Sequence, residues 1–166
     1  MIGTDHVDAQ LGDGLPPEVL DLPGATIDDA CRAGGTVLYI GPDPKEELPV
    51  LFLRLKHAAV EDGATIVEVT PTATGLSPYA AASVRPRPGE LSSVVAALVG
   101  TPPAEGAGGV PGDQLAAAAQ LVGAADRLVV VVGRANLAQS PATVVDAAAA
   151  AHAAVPAARF LPVLRR

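Results

Sequence analysis

Apolar residues fall into two spacings along this chain, and their alternation predicts strands joined by helices. Thr36–Ile40 (TVLYI) is an unbroken apolar run with β-branched and aromatic side chains, the mark of a buried strand. Past Gly41-Pro42-Asp43-Pro44 the spacing changes. Leu48, Leu51, Phe52, Leu55 and Ala59 recur at helical intervals, with Val50 and Leu53 widening the stripe until the helix is covered on most sides. Pro49 would clash inside a helix, so the regular helix starts there as its first residue, after a short turn capped by Asp43 with Glu46 three residues on. Gly63 stops the helix, and Thr65–Val69 (TIVEV) is the next strand. A helical crossover of about a dozen residues makes the two strands parallel.

The rest of the chain is read in the same way. Residues 1–35 are loop-rich, with VDAQ near the start as a possible strand. Thr26 caps a short helix to about Ala33, with Asp28 and Asp29 in its first turn, and Gly34-Gly35 closes it. Pro71–Pro88 is irregular, with a helical turn near Pro78–Ala82, and Pro86 and Pro88 forbid a central strand there. Gly89–Val99 is a helix presenting Leu91, Val94, Val95 and Leu98. Residues 100–112 (GTPPAEGAGGVPG) form a flexible Pro/Gly linker without G-x-G-x-x-G spacing. Asp113 caps a helix to Gly123, and Leu128–Val132 is the most hydrophobic and central strand. After the loop GRANLAQ, Ser140 and Pro141 open an alanine-rich helix to about Ala151, and Arg159–Leu164 is a last strand. The fold class is therefore α/β: a Rossmann-like parallel sheet flanked by helices, as one region over 1–166. It divides into an entry (1–35), a first βαβ unit (36–99), a linker (100–112) and a second βα unit (113–166). Both ends look cut from a longer domain.

Composition narrows the chemistry. The chain has 166 residues and a net charge of −7, with Arg85/Arg87 and Arg165-Arg166 as its only basic pairs, both read as solvated surface. Nucleic-acid binding needs clustered cations and stacking rings; aromatics are only 2% of this chain, so no nucleic-acid partner is expected. No signal peptide and no apolar stretch near the roughly 18 residues of a membrane span is present, which predicts a cytoplasmic protein without direct membrane insertion. Cys31 alone cannot form an internal disulfide or hold an iron–sulfur cluster, and is read as a buried structural thiol.

Candidate reactive groups are sparse. Asp5, His6 and Asp8 lack a further ligand at metal spacing and are read as solvated. His57, on the helix that carries the core, is read as a capped or exposed histidine, and His152, in the alanine-rich helix, has no adjacent acid. Ser77-Pro78-Tyr79 has no paired base, no G-x-S-x-G elbow exists, and no G-x-x-x-x-G-K-[ST] loop offers a triphosphate site. Glu46 and Glu47 are neighbours on different sides of a helix and cannot act as an acid/base pair. No catalytic residue and no metal site are expected. Ligands of open α/β sheets bind at the carboxyl ends of the strands, so any cofactor contact would come from the two loops after Ile40 and Val69.

Those loops carry a family resemblance. GPDPKEELPVLFLRLKHAAVEDGATIVEVTPTATG resembles the third, Rossmann-like region of the molybdopterin oxidoreductase superfamily. Together with VVVGRANLAQSPATVVDAAAAA it resembles one family within that superfamily, the iron–sulfur cluster-bearing peripheral-arm subunit of bacterial NADH–quinone oxidoreductase, respiratory complex I. The likeness covers roughly residues 3–166, a fraction of that subunit. It implies a non-catalytic scaffold within an assembly that passes electrons from NADH to quinone. Other peripheral-arm subunits would be its partners, and it would sit at the cytoplasmic face of the membrane. The cluster cysteines of that family lie in N-terminal segments outside this sequence, so no cofactor is implied here. The resemblance also marks vestigial cofactor contacts at Gly41, Asp43, Thr70 and Thr72. The superfamily's second loop carries an acidic residue that holds guanine, where Thr70 stands here. Two alternatives are a molybdopterin-dinucleotide-binding oxidoreductase using Asp43, Thr70 and Thr72, and a generic nucleotide-binding α/β domain.

Overall fold

The computed structural model describes residues 15–133 and 140–163. The element order is α1 (Pro17–Leu20), α2 (Ile27–Ala30), β1 (Thr36–Ile40), α3 (Pro44–Glu47), α4 (Pro49–Val60), β2 (Thr65–Val69), a 3₁₀ turn (Ser77–Tyr79), β3 (Ala82–Val84), α5 (Leu91–Val99), α6 (Gly112–Gly123), β4 (Leu128–Gly133), α7 (Pro141–Ala154) and β5 (Arg159–Val163). The possible strand in VDAQ, the Asp5/His6/Asp8 group, the loop at 134–139 and Arg165-Arg166 lie outside the described residues.

All five strands are parallel, in the order β3-β2-β1-β4-β5. The expected α/β class is therefore the observed one. β1 holds the middle, with Thr36 to Ile40 matched to Thr65 to Val69 on one side and to Leu128 to Val132 on the other. β4 lies between β1 and β5 and is buried throughout. A parallel strand covered on both faces reads as a continuous apolar run, and LVVVVG has that form.

Two apolar layers sandwich the sheet. On one face Leu38, Ile40, Val67, Val69, Val130, Val132 and Phe160 pack with α5, α6 and α7. On the other, Val37, Tyr39, Ile66, Val129, Val131 and Leu161 pack under Leu51, Phe52 and Leu55 of α4. The period-2 alternation of the strands divides these residues between the faces. The helix caps follow the sequence: Thr26 and Asp29 form a capping box on α2, and the Ser140 hydroxyl accepts from the Thr143 amide at the start of α7.

Several local expectations are corrected. α4 buries Leu51, Phe52, Leu55 and Ala58 but leaves Val50 70%, Leu53 58% and Val60 55% exposed, so it is covered on one side only. The helix lies on a sheet face and buries only the side turned toward it. β3 occurs within the stretch that its prolines mark as irregular; three residues at a sheet edge suffice to pair with β2 before Pro86 ends the strand. Gly112 opens α6 and Asp113 lies inside it, its carboxylate accepting from the Gln114 amide. The 100–112 stretch is tied down, with Ala107 and Val110 bonded to each other, the Arg87 amide donating to Gly108 O, and Val110 buried. Three of its glycines, Gly106, Gly108 and Gly109, have positive φ, which is why this tight path uses glycine. Cys31 is half-buried, with its thiol pKa pushed up by desolvation.

Gly133 closes the gap between β1 and β4 at their carboxyl ends. A Cβ there would meet Pro42 Cδ at 2.6 Å and Gly41 Cα at 2.9 Å. Gly133→Ala is therefore predicted to lower unfolding free energy by about 1–3 kcal/mol, since ring and backbone must shift together. A urea midpoint equal to wild type would contradict this close approach.

Candidate functional site

The strand ends that would hold a ligand in this fold type are the carboxyl ends of β1, β2 and β4. The sheet order reverses direction at β1, placing the switch-point crevice between the loops after β1 and β4. Among the described residues the two strand ends approach closely: a Cβ at Gly41 would lie 3.1 Å from Gly133 Cα, and one at Gly133 would meet Pro42 Cδ at 2.6 Å. Tyr39, fully buried, donates its hydroxyl to Pro42 O at 2.6 Å and fixes the turn from beneath. Burial, and then the negative charges of Asp43, Glu47 and Glu68, push its phenol pKa well above the ordinary tyrosine value.

The loop after β1 is tied to the loop after β2. The Asp43 carboxylate accepts from the Lys45 amide at 2.9 Å as the cap of α3, and its two oxygens accept from the Gly75 amide at 3.0 Å each. Gly75 must lack a side chain to come this close, since a Cβ would meet Lys45 Cβ at 2.7 Å and Phe52 Cε2 at 3.2 Å.

Beneath this loop, at the end of β2, lies a polar cluster that sequence reasoning missed. Glu68 has no exposed surface. Its Oε2 accepts from Ser77 Oγ, Ser83 Oγ and Arg85 Nη2 at 2.8 Å each, and its Oε1 accepts from Thr74 Oγ1. Arg85 also donates to Thr70 Oγ1 at 2.8 Å and to Ser77 Oγ at 2.7 Å, and the Thr70 hydroxyl donates to Thr72 O at 2.7 Å. The expectation that Arg85 is solvated surface is thus corrected. Its side chain is 30% exposed and pairs with a buried carboxylate. Parallel register explains the convergence, because Glu68 sits opposite Ser83 and two residues of strand then bring Arg85 to the same corner. The available signal was a lone acid within an apolar strand, which needs donors when buried.

The sequence-derived candidates occupy this end of the sheet and are engaged by neighbouring groups of the chain. Gly41 lies against Gly133, Asp43 bonds Lys45 and Gly75, and Thr70 is shared between Arg85 and Thr72. His57 is exposed beside Asp62, at 3.7 Å. Among the described residues, no group of three His, Cys, Asp or Glu side chains could hold a metal ion, and no helix is long and apolar enough to cross a membrane.

Glu68→Ala leaves Arg85 and three hydroxyls without their acceptor, and is expected to cost about 3 kcal/mol in a denaturant titration. The pair replacement Glu68→Leu with Arg85→Met is expected to recover the part of that loss that comes from the unpaired arginine; a single mutant as stable as wild type would rule out a structural role for the cluster. Tyr39 gives a pH signature. An unfolded tyrosine ionises near pH 10 and the folded one only at higher pH, so its contribution is complete below about pH 10 and declines above it. The stability advantage of wild type over Tyr39→Phe should narrow by up to about 1.4 kcal/mol per pH unit above pH 10. A constant difference from pH 8 to about pH 11 would show that Tyr39 ionises freely in the folded chain.

No family model and no curated protein matches the chain. Among solved structures it is similar to a chain of the formyltransferase/hydrolase complex (FhcABCD) from Methylorubrum extorquens, determined with methylofuran. The TM-score is 0.52 at 17% identity, over 86% of this chain and 39% of that one. At that identity the likeness is one of fold, and this chain spans well under half of the neighbour's length. The resemblance to the molybdopterin oxidoreductase superfamily and to the cluster-bearing family of complex I is overturned, since no family model matches and the structural neighbour is a formyltransferase/hydrolase complex. The NADH–quinone electron-transfer role, the molybdopterin alternative, the complex I partners and the membrane-peripheral placement fall with it. The physical reason is that a strand, a proline-stiffened turn and a helix recur throughout parallel α/β sheets. The stretch that carried the resemblance specifies a βαβ unit, not a family.

Proposed function

We propose that this chain is a packing layer within a larger multi-component enzyme assembly, a structural role without a reaction centre of its own. The observation that carries this reading is the condition of the strand ends. The Asp43 carboxylate and the Glu68 carboxylate, the charged groups best placed to meet a ligand, are engaged by Lys45, Gly75, Thr74, Ser77, Ser83 and Arg85. A ligand would have to displace these bonds and leave buried polar atoms unpaired.

Two further observations support the reading. Val50, Leu53 and Val60 are exposed on the outer side of α4, three large apolar side chains interspersed with Arg54 and His57. The structural neighbour is a chain of a formyltransferase/hydrolase complex, more than twice as long as the matched part, so this layer type occurs inside a larger enzyme.

The test is the size of the particle that contains the chain. Tagged protein isolated from its native cells is expected to elute, by size exclusion with light scattering, at a mass well above that of one chain. Leu53→Glu with Val60→Glu is expected to reduce it to the single-chain mass with the melting temperature unchanged, because both side chains already face water. A wild-type chain that elutes alone, or an assembly indifferent to these substitutions, would refute the proposal.

A further inference from the structure

The opposite end of the sheet is built differently. At the amino ends of β1, β4 and β5 a cavity of about 350 Å³ opens, lined by Thr36, Leu128, Val129 and Ala157 together with Asp29, Asp126 and three arginines, Arg32, Arg127 and Arg159. That volume lies in the range of small-molecule sites. Three of the chain's 11 basic residues meet there, although the chain as a whole carries a charge of −7.

The arginines come from separate segments and are held differently. Arg159, the first residue of β5, donates Nε to Gly24 O at 2.7 Å and lies 3.4 Å from Asp29 Oδ2. Arg32 lies 3.7 Å from Asp29 Oδ1. Asp29 is itself fixed by the α2 cap, its Oδ2 accepting from the Thr26 amide and hydroxyl at 2.8 Å each. These bonds first, and the two arginines after them, hold its carboxyl below the usual carboxylate range. Arg127 is placed by its backbone, whose carbonyl accepts from the Thr36 amide at 3.3 Å. Its guanidinium has no hydrogen bond or ion pair among the described residues. Against three guanidinium charges stand two carboxylates, Asp29 and Asp126, which leaves one positive charge in surplus and one uncommitted fork of donors.

We propose that this cavity binds a small organic oxyanion, its carboxylate or phosphate gripped by Arg127 with Arg32 and Arg159 flanking, and its apolar body against Leu128, Val129 and Ala157. A guanidinium offers two parallel N–H groups that match either oxyanion, whereas an ammonium offers a point charge. The site goes beyond the assembly role, and it lies at the end of the sheet away from the interlocked loops.

Phenyl phosphate, which joins an oxyanion to an apolar ring, is the direct probe, with benzoate to distinguish carboxylate from phosphate and benzyl alcohol as the neutral control. Isothermal titration calorimetry is expected to show saturable one-to-one binding of phenyl phosphate or benzoate and none of benzyl alcohol. Arg127→Ala should weaken binding at least tenfold and Arg127→Lys should also weaken it. Arg87→Ala, remote from the cavity, should leave it unchanged. Because Arg127 is exposed, these variants are expected to melt with wild-type cooperativity, so a loss of binding reports the site and not the fold. Absence of saturable binding to either anion, or equal affinity in Arg127→Ala and wild type, would overturn the proposal.

Discussion

A carboxyl group without exposed surface must be given donors by the protein, because water cannot supply them. Glu68 is in that position, in the second strand from the sheet edge, and much of this corner is arranged around it. Thr74 and Ser77 shape the turn that follows β2, Ser83 comes from the edge strand, and Arg85 reaches back from just beyond it. The Ser77 and Thr74 hydroxyls also accept from the Thr74 and Leu76 amides, so the same side chains that satisfy Glu68 fold the loop above it. The short edge strand thus has a reason to dock beyond its three ladder residues.

From this corner the constraint spreads toward the middle of the sheet. The loop that Glu68 organises presents the Gly75 amide to Asp43, and Asp43 caps the helix that leaves the central strand. Pro42, one residue earlier, rests on Gly133 and is held by Tyr39. The loops after β1 and β2, which would be independent in a ligand-binding α/β domain, are here coupled through short contacts, and the first approaches the end of β4. Interlocking hydrogen bonds at this end and an open, arginine-lined concavity at the other give the two ends of one sheet different physical characters. The outer side of α4, where Val50, Leu53 and Val60 are exposed among Arg54 and His57, adds a third surface with its own chemistry.

Much of the scaffold was legible in the sequence. TVLYI, TIVEV and LVVVVG are long enough in apolar content, and Pro49, Ser140-Pro141 and Thr26 specific enough in their local chemistry, to place strands and helix starts within a residue or so. What was hidden depends on chain segments that meet only in the fold. Glu68 and Arg85 are 17 residues apart and gain meaning only when β3 pairs with β2. Arg32, Arg127 and Arg159 are scattered along the chain and converge because three parallel strands begin at one level. Val50 and Leu53 read as core because helical spacing counts apolar positions without showing which side has a partner. The family resemblance failed for a related reason: residues that specify a βαβ unit serve many unrelated proteins.

Amide hydrogen exchange at Thr74, Gly75 and Leu76 tests the central claim most directly, because loops ordinarily open with little cost while groups tied into a cooperative unit exchange only when that unit opens. The interlocked loop network predicts slow exchange at all three amides, comparable to that of the neighbouring β1 and β2 amides. Exchange at the rate of an open surface loop would contradict it.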